Sequence, residues 1–261
     1  METTSHPILN NRPITRGGAL RACIVALFLA PWTVFWGVCS MFLGILGCRR
    51  LCTRGIEIWA HGILFVAGIR IKVRHNAPLD PAIRYLFLSN HQSALDIPIL
   101  FHACPIIQDV RFMAKESLFK IPFLGWGMSL TGFVPIRREN ARHSATLIQD
   151  MARATPQFSY IIFPEGTRSS NGRLQPLKRG AIGLVMRLNQ PIVPVTIVDA
   201  CRANPKGTAR VRSGTVQVIF HEPITIAVGA TKENTRDELL ETIYNTIASA
   251  LPEDQKPSFS T

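Results

Sequence analysis

Tyr160-Ile161-Ile162-Phe163-Pro164-Glu165-Gly166-Thr167-Arg168-Ser169 is the stretch from which the fold of this chain can be read. Its first four residues are apolar and favour extended backbone, so they predict a buried strand. The strand ends abruptly in a proline, an acid, a glycine, two hydroxyls and an arginine. Folding alone has no use for that set. Glycine lets the backbone approach a ligand closely, and arginine offers a planar fork of donors that suits a phosphate. Strands that deliver ligand-binding residues at their carboxyl ends are the pattern of open α/β sheets.

Working outward, further short runs rich in β-branched and aromatic residues predict strands at 69–74, 85–89, 110–114, 133–136, 159–163, 192–198 and 215–220. Helical stretches fall between them, at 95–102, 141–155 and 181–188. This alternation predicts an α/β fold with a mixed, largely parallel sheet and crossover helices. Residues 233–251 predict a terminal helix. Thr235-Arg236-Asp237-Glu238 forms a capping box, and Leu239, Leu240, Ile243, Ile247 and Leu251 make a stripe of helical period. From residue 252 the chain turns polar and is expected to be a disordered tail. Three parts follow: an amino-terminal anchoring segment over 1–60, an α/β domain over 61–251, and the tail over 252–261.

A second cluster lies upstream, Asn90-His91-Gln92-Ser93-Ala94-Leu95-Asp96. An imidazole is the usual general base near neutral pH, and a carboxylate on its other nitrogen fixes the tautomer. The spacing fits a histidine in the turn after a strand and an aspartate in the first helical turn. An aspartate there also complements the helix dipole, which is its bland explanation. Ser93 reads as turn chemistry, and no G-x-S-x-G elbow is present. A base without a nucleophile beside it acts on a substrate hydroxyl, in direct transfer without a covalent enzyme intermediate.

Lys115, Arg137, Arg138, Arg168, Lys178 and Arg179 all occur near glycines and element ends. Most such charges form a solvated basic face. Arg168 stands apart because of its context, where backbone donors after Gly166 and a bidentate arginine make a phosphate cradle. Glu165 either holds Arg168 or binds a substrate hydroxyl. Phe119-Lys120-Ile121-Pro122-Phe123-Leu124-Gly125-Trp126-Gly127-Met128 reads as a buried core helix, or as a groove floor that admits an acyl chain or rests on a bilayer.

The chain of 261 residues carries 29 Lys+Arg against 17 Asp+Glu, a net charge of +12. Such a surface favours polyanions, anionic lipid among them. No zinc-finger spacing, RNP-like motif or basic heptad helix is present, so no nucleic-acid partner is expected. The six cysteines have no C-x-x-C pair, which predicts reduced thiols and no metal cluster. Residues 22–48 carry no charge between Arg21 and Arg49. As one straight helix they would reach ~40 Å, longer than a hydrocarbon core of ~30 Å. Pro31, Gly37, Gly44 and Gly47 interrupt the run. Either a single tilted span fits or a pair of shorter helices that dip into one leaflet and return. Arginines flank both ends and no acid lies between Glu2 and Glu57, which draws both flanks to the cytoplasmic side of an inner membrane. A secretion signal fits less well, because the apolar run is long and no A-x-A site follows.

Over residues 86–195 the chain resembles the glycerolipid acyltransferase family in four ordered blocks. Asn90-His91 with Asp96 is similar to the NHxxxxD block. Gly132-Phe133-Val134-Pro135-Ile136-Arg137-Arg138 is similar to the second, Phe163 to Ser169 match the FPEGTRS block, and Ile192-Val193-Pro194-Val195 is similar to the fourth. Lys115, Leu118, Pro122 and Gly125 follow the family pattern between the first two blocks. One departure is Arg137, which stands where the second block usually carries an aspartate, so Arg138 carries the match. The resemblance implies that His91, oriented by Asp96, deprotonates the free hydroxyl of lysophosphatidate. That oxygen would attack the thioester of acyl-CoA or acyl-carrier protein, giving phosphatidate. Lys115, Arg138 and Arg168 would hold the phosphate, with Glu165, Gly166 and Thr167 completing the substrate site. No cofactor or metal is implied. Two other readings stay open: the same chemistry on another lyso-lipid, and a non-catalytic basic protein anchored to anionic membrane.

Overall fold

The computed structural model describes residues 16–104, 109–136, 158–208, 210–225 and 233–257. Among these residues seven strands pair into one sheet: β1 (Ile69–His75), β2 (Leu86–Ser89), β3 (Val110–Lys115), β4 (Val134–Ile136), β5 (Ser159–Ile162), β6 (Ile192–Val198) and β7 (Gly214–Phe220). Each lies within one residue of its expected bounds. Their spatial order is β1-β7-β6-β2-β5-β3-β4. The five neighbours β6, β2, β5, β3 and β4 run parallel. β7 runs antiparallel to β6, and β1 parallel to β7.

β2, β5 and β6 are buried along their whole length. A strand covered on both faces reads as a continuous apolar run, which is why these were legible. Phe87, Ile161, Val193, Val195 and Ile197 point into one core layer, and Leu86, Leu88, Ile162 and Ile192 into the other. The first layer is closed by α2 (Arg49–Ala67) and α3 (Asp96–Ala103). The second is closed by α5 (Arg179–Leu188) and α6 (Glu233–Ser249). In α5 the buried positions are Ile182, Val185 and Leu188, one helical stripe, and Asn189 ends the helix in the left-handed region at φ 48. The expected helix over 141–155 falls outside the described residues.

The amino-terminal segment takes one of the two arrangements left open for it. It is one helix, α1 (Arg16–Ile45), continuing through Pro31, and not a pair of short helices within 22–48. The return is made by α2, after a turn with Gly47 at φ 66. The Trp32 indole N–H donates to the Trp59 carbonyl (3.1 Å) and the Trp59 N–H to Thr33 Oγ1 (3.2 Å), so the two helices are tied as well as packed. α2 crosses the boundary expected near residue 60 and lies on both α1 and α3. Cys23–Ile45 is long and apolar enough to cross a membrane. Leu27, Phe35 and Phe42 are exposed on it.

Residues 119–128 do not form one core helix. They split into a 3-10 turn, Glu116–Lys120, and α4 (Leu124–Leu130), with Phe123 between them at φ 62. α4 lies so close to α1 that a Cβ on Gly127 would sit 2.7 Å from the Gly37 carbonyl oxygen. Arg111, unnoticed in sequence, anchors this corner although it is fully buried. It pairs with Asp109 (2.9 Å), donates to the Thr131 carbonyl (2.5 Å) and Thr53 Oγ1 (3.1 Å), and lies 4.7 Å from the Phe158 ring centroid. A buried guanidinium persists only where its donors and charge are met in this way.

The carboxyl-terminal residues also depart from expectation. Residues 252–257 form a turn seated on the domain, and Gln255 is fully buried.

Candidate active site

The parallel strand order brings the two clusters together. β2 and β5 are adjacent, with Leu88 opposite Ile162, so the residues that follow each strand emerge side by side. Asn90 is held first. Its amide donates to the Ile197 carbonyl (2.9 Å) and accepts from the Ile197 N–H (2.7 Å), a side chain standing in for one more rung of the β2–β6 ladder. An amide has both groups at the needed spacing; a carboxylate lacks the donor.

His91 follows. Its Nδ1 lies 2.7 Å from Asp96 Oδ2. The same oxygen accepts the N–H groups of Gln92 (2.6 Å) and Ser93 (2.8 Å). With two backbone N–H groups already donating to that oxygen, the ring nitrogen facing it is the donor, and in that tautomer of the neutral ring Nε2 carries the lone pair. Asp96 is fully buried at the first residue of α3. Ser93 Oγ accepts the Leu95 N–H (3.1 Å), the turn role expected of it.

Three contacts fuse the His91 loop to the loop after β5. The Ser169 N–H donates to the His91 carbonyl (2.7 Å). The His91 N–H donates to Glu165 Oε1 (2.7 Å). The imidazole stacks on Phe163 at 3.9 Å between centroids and 12° between planes. Among the described residues Glu165 is therefore bonded to backbone and not to the Arg168 guanidinium. It is buried, and its second oxygen accepts the Gln175 N–H (3.2 Å). Backbone donors favour the carboxylate, yet burial outweighs them and pushes its pKa up to about 8.

Gly166 sits at φ 73, in the left-handed region open to glycine, and its N–H closes the turn onto the Phe163 carbonyl (3.0 Å). The N–H groups of Thr167 and Arg168, and the Arg168 guanidinium, have no protein acceptor among the described residues. Lys115 ends β3 and is exposed. Arg137 and Arg138 directly follow β4 in sequence and lie outside the described residues. Arg179 is taken up by Asp237 across to α6, whereas the Lys178 side chain lies against Gly166.

Two residues in the neighbourhood had no signal in the sequence. Gln255 Oε1 accepts from Gln92 Nε2 (2.9 Å) and the Asp199 N–H (3.2 Å), and its Nε2 donates to Asp199 Oδ1 (2.5 Å). Lys206 Nζ donates to the Arg168 carbonyl (2.6 Å) and lies 3.3 Å from Thr167 Oγ1. Beneath the loops is an apolar cavity of about 250 Å³, lined by Trp36, Trp59, Phe101, Phe112, Leu118 and Leu124 among others. Phe112 stacks on Phe163, itself stacked on His91, so one cavity wall continues up to the imidazole.

The Acyltransferase family model matches residues 70–198. The chain is 38% identical over 141 residues to the chloroplastic 1-acyl-sn-glycerol-3-phosphate acyltransferase BAT2 of Brassica napus, covering 53% of this chain and 40% of that one. It is 31% identical to the 1-acyl-sn-glycerol-3-phosphate acyltransferase of Limnanthes alba, over 79% of this chain and 70% of that one. The chain spans about half the length of the first curated relatives it matches. The crystal structure of the 1-acyl-sn-glycerophosphate (LPA) acyltransferase PlsC from Thermotoga maritima superposes with a TM-score of 0.72 at 24% identity, covering 88% of this chain and 93% of that one. That likeness is one of fold.

Proposed function

We propose a function from one premise: the chain belongs to the acyltransferase family of the 1-acyl-sn-glycerol-3-phosphate acyltransferases. The reaction is transfer of a fatty acyl group from a thioester, acyl-CoA or acyl-carrier protein, to the free hydroxyl of 1-acyl-sn-glycerol-3-phosphate, giving phosphatidate. The observation that carries it is the fused pair of loops. A histidine on a buried aspartate is hydrogen-bonded, through Ser169 and Glu165, to a loop with two open backbone donors and an open guanidinium.

His91 Nε2 takes the acceptor's hydroxyl proton as that oxygen bonds to the thioester carbonyl carbon. The imidazolium so formed is stabilised by Asp96. When the tetrahedral intermediate collapses, the C–S bond breaks and the thiolate receives the proton from Nε2. Lys115, Arg138 and Arg168, with the Thr167 and Arg168 N–H groups, hold the phosphate that pins the acceptor. Glu165 is given a different part from the one first expected, that of keeping the His91 backbone in register with the phosphate loop. The acyl chain lies in the apolar cavity, whose wall residue Phe112 leads through Phe163 to His91. The exposed apolar side chains of α1 and of Ile121, Phe123, Trp126 and Leu130 rest on lipid, with the arginine flanks on the cytoplasmic side of an inner membrane.

Release of free thiol from acyl-CoA in the presence of lysophosphatidate tests this directly. Acceptor-dependent thiol release with formation of phosphatidate is expected. Lipid binding without thiol release would leave a basic membrane-anchored protein. Faster turnover of a phosphate-free lyso-lipid would move the acceptor assignment.

A further inference from the structure

The row of parallel strands has a pattern. β2 delivers His91, β5 delivers Glu165 and Arg168, β3 ends at Lys115, and β4 leads into Arg138. The remaining parallel neighbour, β6, lies on the other side of β2, and its carboxyl end leads into residues 199–208. We infer that this fifth strand also serves the acceptor site, through Lys206, which sets the backbone of the phosphate loop and adds its charge to that of Arg168. The inference deepens the acyl-transfer reading and rests on it.

The segment that carries Lys206 is built. Asn204 Nδ2 donates to the Arg210 carbonyl (2.8 Å), and the Arg212 N–H to the Ala203 carbonyl (2.8 Å). The Thr208 N–H and hydroxyl both reach the Pro205 carbonyl (3.3 and 3.0 Å), closing a turn in which Gly207 takes φ 77. Lys206 is thus presented from a fixed turn. Its ammonium donates 2.6 Å to the carbonyl of Arg168 and reaches the Thr167 hydroxyl at 3.3 Å. These are the two residues whose backbone N–H groups stay open. Fixing the peptide plane after Arg168 fixes the direction in which its side chain leaves the backbone. A lysine gives up rotamer freedom to be held so, where water would satisfy a surface carbonyl at no such cost. An ammonium has three donors, and the third has no protein acceptor among the described residues. Lys206 stands beyond residue 198, where the family match ends.

The test compares Lys206→Met, Lys206→Gln and Lys206→Arg with the unaltered protein in the thiol-release assay, varying lysophosphatidate and acyl-CoA in turn. Thermal melts establish that each variant folds, and the glutamine variant serves if the methionine one does not. Loss of the charge is expected to raise the acceptor KM roughly tenfold and leave the donor KM within twofold, with arginine restoring most of the affinity and glutamine little. An acceptor KM within twofold of the unaltered protein in the methionine or glutamine variant overturns the inference. So does a fall in kcat alone, or an equal rise in both KM values. If the unaltered protein itself turns over no lysophosphatidate, the acyl-transfer reading fails first.

Discussion

Two regions of this molecule meet at Phe163 and are held together by different physics. Above it, the His91 loop is held within itself and to the Glu165 loop by directional bonds of 2.6–2.8 Å, most of them made by backbone N–H groups. Below it, α1, α2, α4 and β3 enclose an apolar cavity with side chains that have no preferred direction. A proton transfer tolerates little displacement, so the upper region is over-determined by hydrogen bonds. A fatty chain needs volume and dryness, so the lower region is specified by size. Substitutions above should act in steps and substitutions below in grades.

The largest step is expected at the imidazole. His91→Ala should lower kcat by ~10² or more in a protein that still folds, since Asp96, the ring's polar partner among the described residues, keeps the Gln92 and Ser93 N–H groups. Turnover near the unaltered rate would break the comparison at its root.

Glu165 sharpens it through stability. Its acid is ordinary when unfolded, 4.5, and is raised to about 8 in the fold. Below pH 4.5 both states hold the proton and the contribution is full. Between 4.5 and about 8 the unfolded chain releases the proton while the folded one keeps it, so stability falls as pH rises. Glu165→Gln cannot titrate. Denaturation midpoints of the two proteins should diverge across that window by an amount on the order of a few kcal/mol. Parallel pH profiles would show that the carboxyl is met more fully than burial implies.

The same contrast explains what the sequence could and could not reveal. The strands were legible because β2, β5 and β6, covered on both faces, must be apolar throughout. The His91–Asp96 pair and the Glu165-Gly166-Thr167-Arg168 loop were legible because their chemistry resides in side chains. The partners of Glu165 were not, because they are the N–H groups of His91 and Gln175, which every residue but proline carries. Gln255 was hidden in a polar run whose composition matches a solvated tail, and only its contacts with Gln92 and Asp199 set it apart. The choice between one helix and two over 22–48 stayed open because Pro31 and the glycines signal a break, whereas α1 runs through the proline and uses Gly37 for close approach to α4.

Gln255 gives a smaller step. Gln255→Ala removes the bonds to Gln92 and Asp199, while Gln92 Nε2 keeps the Gly172 carbonyl and Asp199 keeps Arg202, so the expected cost is about 0.5–1.5 kcal/mol of stability per bond lost. Because Gln92 supplies one of the donors to Asp96, kcat should fall severalfold while the acceptor KM holds. Stability lost with kcat intact would confine the clamp to folding.

The mildest change belongs to the cavity, where a graded response is expected. Ala114 ends the apolar part of β3 and lines the cavity wall with Phe112, away from every hydrogen bond that holds His91. Ala114→Phe puts a ring into a space of about 250 Å³ without removing a polar partner. Long-chain thioesters should lose activity severalfold relative to short ones, on the order of 1–3 kcal/mol as chain is excluded. The short-chain rate should stay near that of the unaltered protein, because the imidazole is positioned from above by bonds the substitution does not touch. Thiol release measured across a series of acyl-CoA lengths separates the outcomes. A loss equal at every length would mean that wall and base move as one body, and that the boundary at Phe163 is not a division of labour at all.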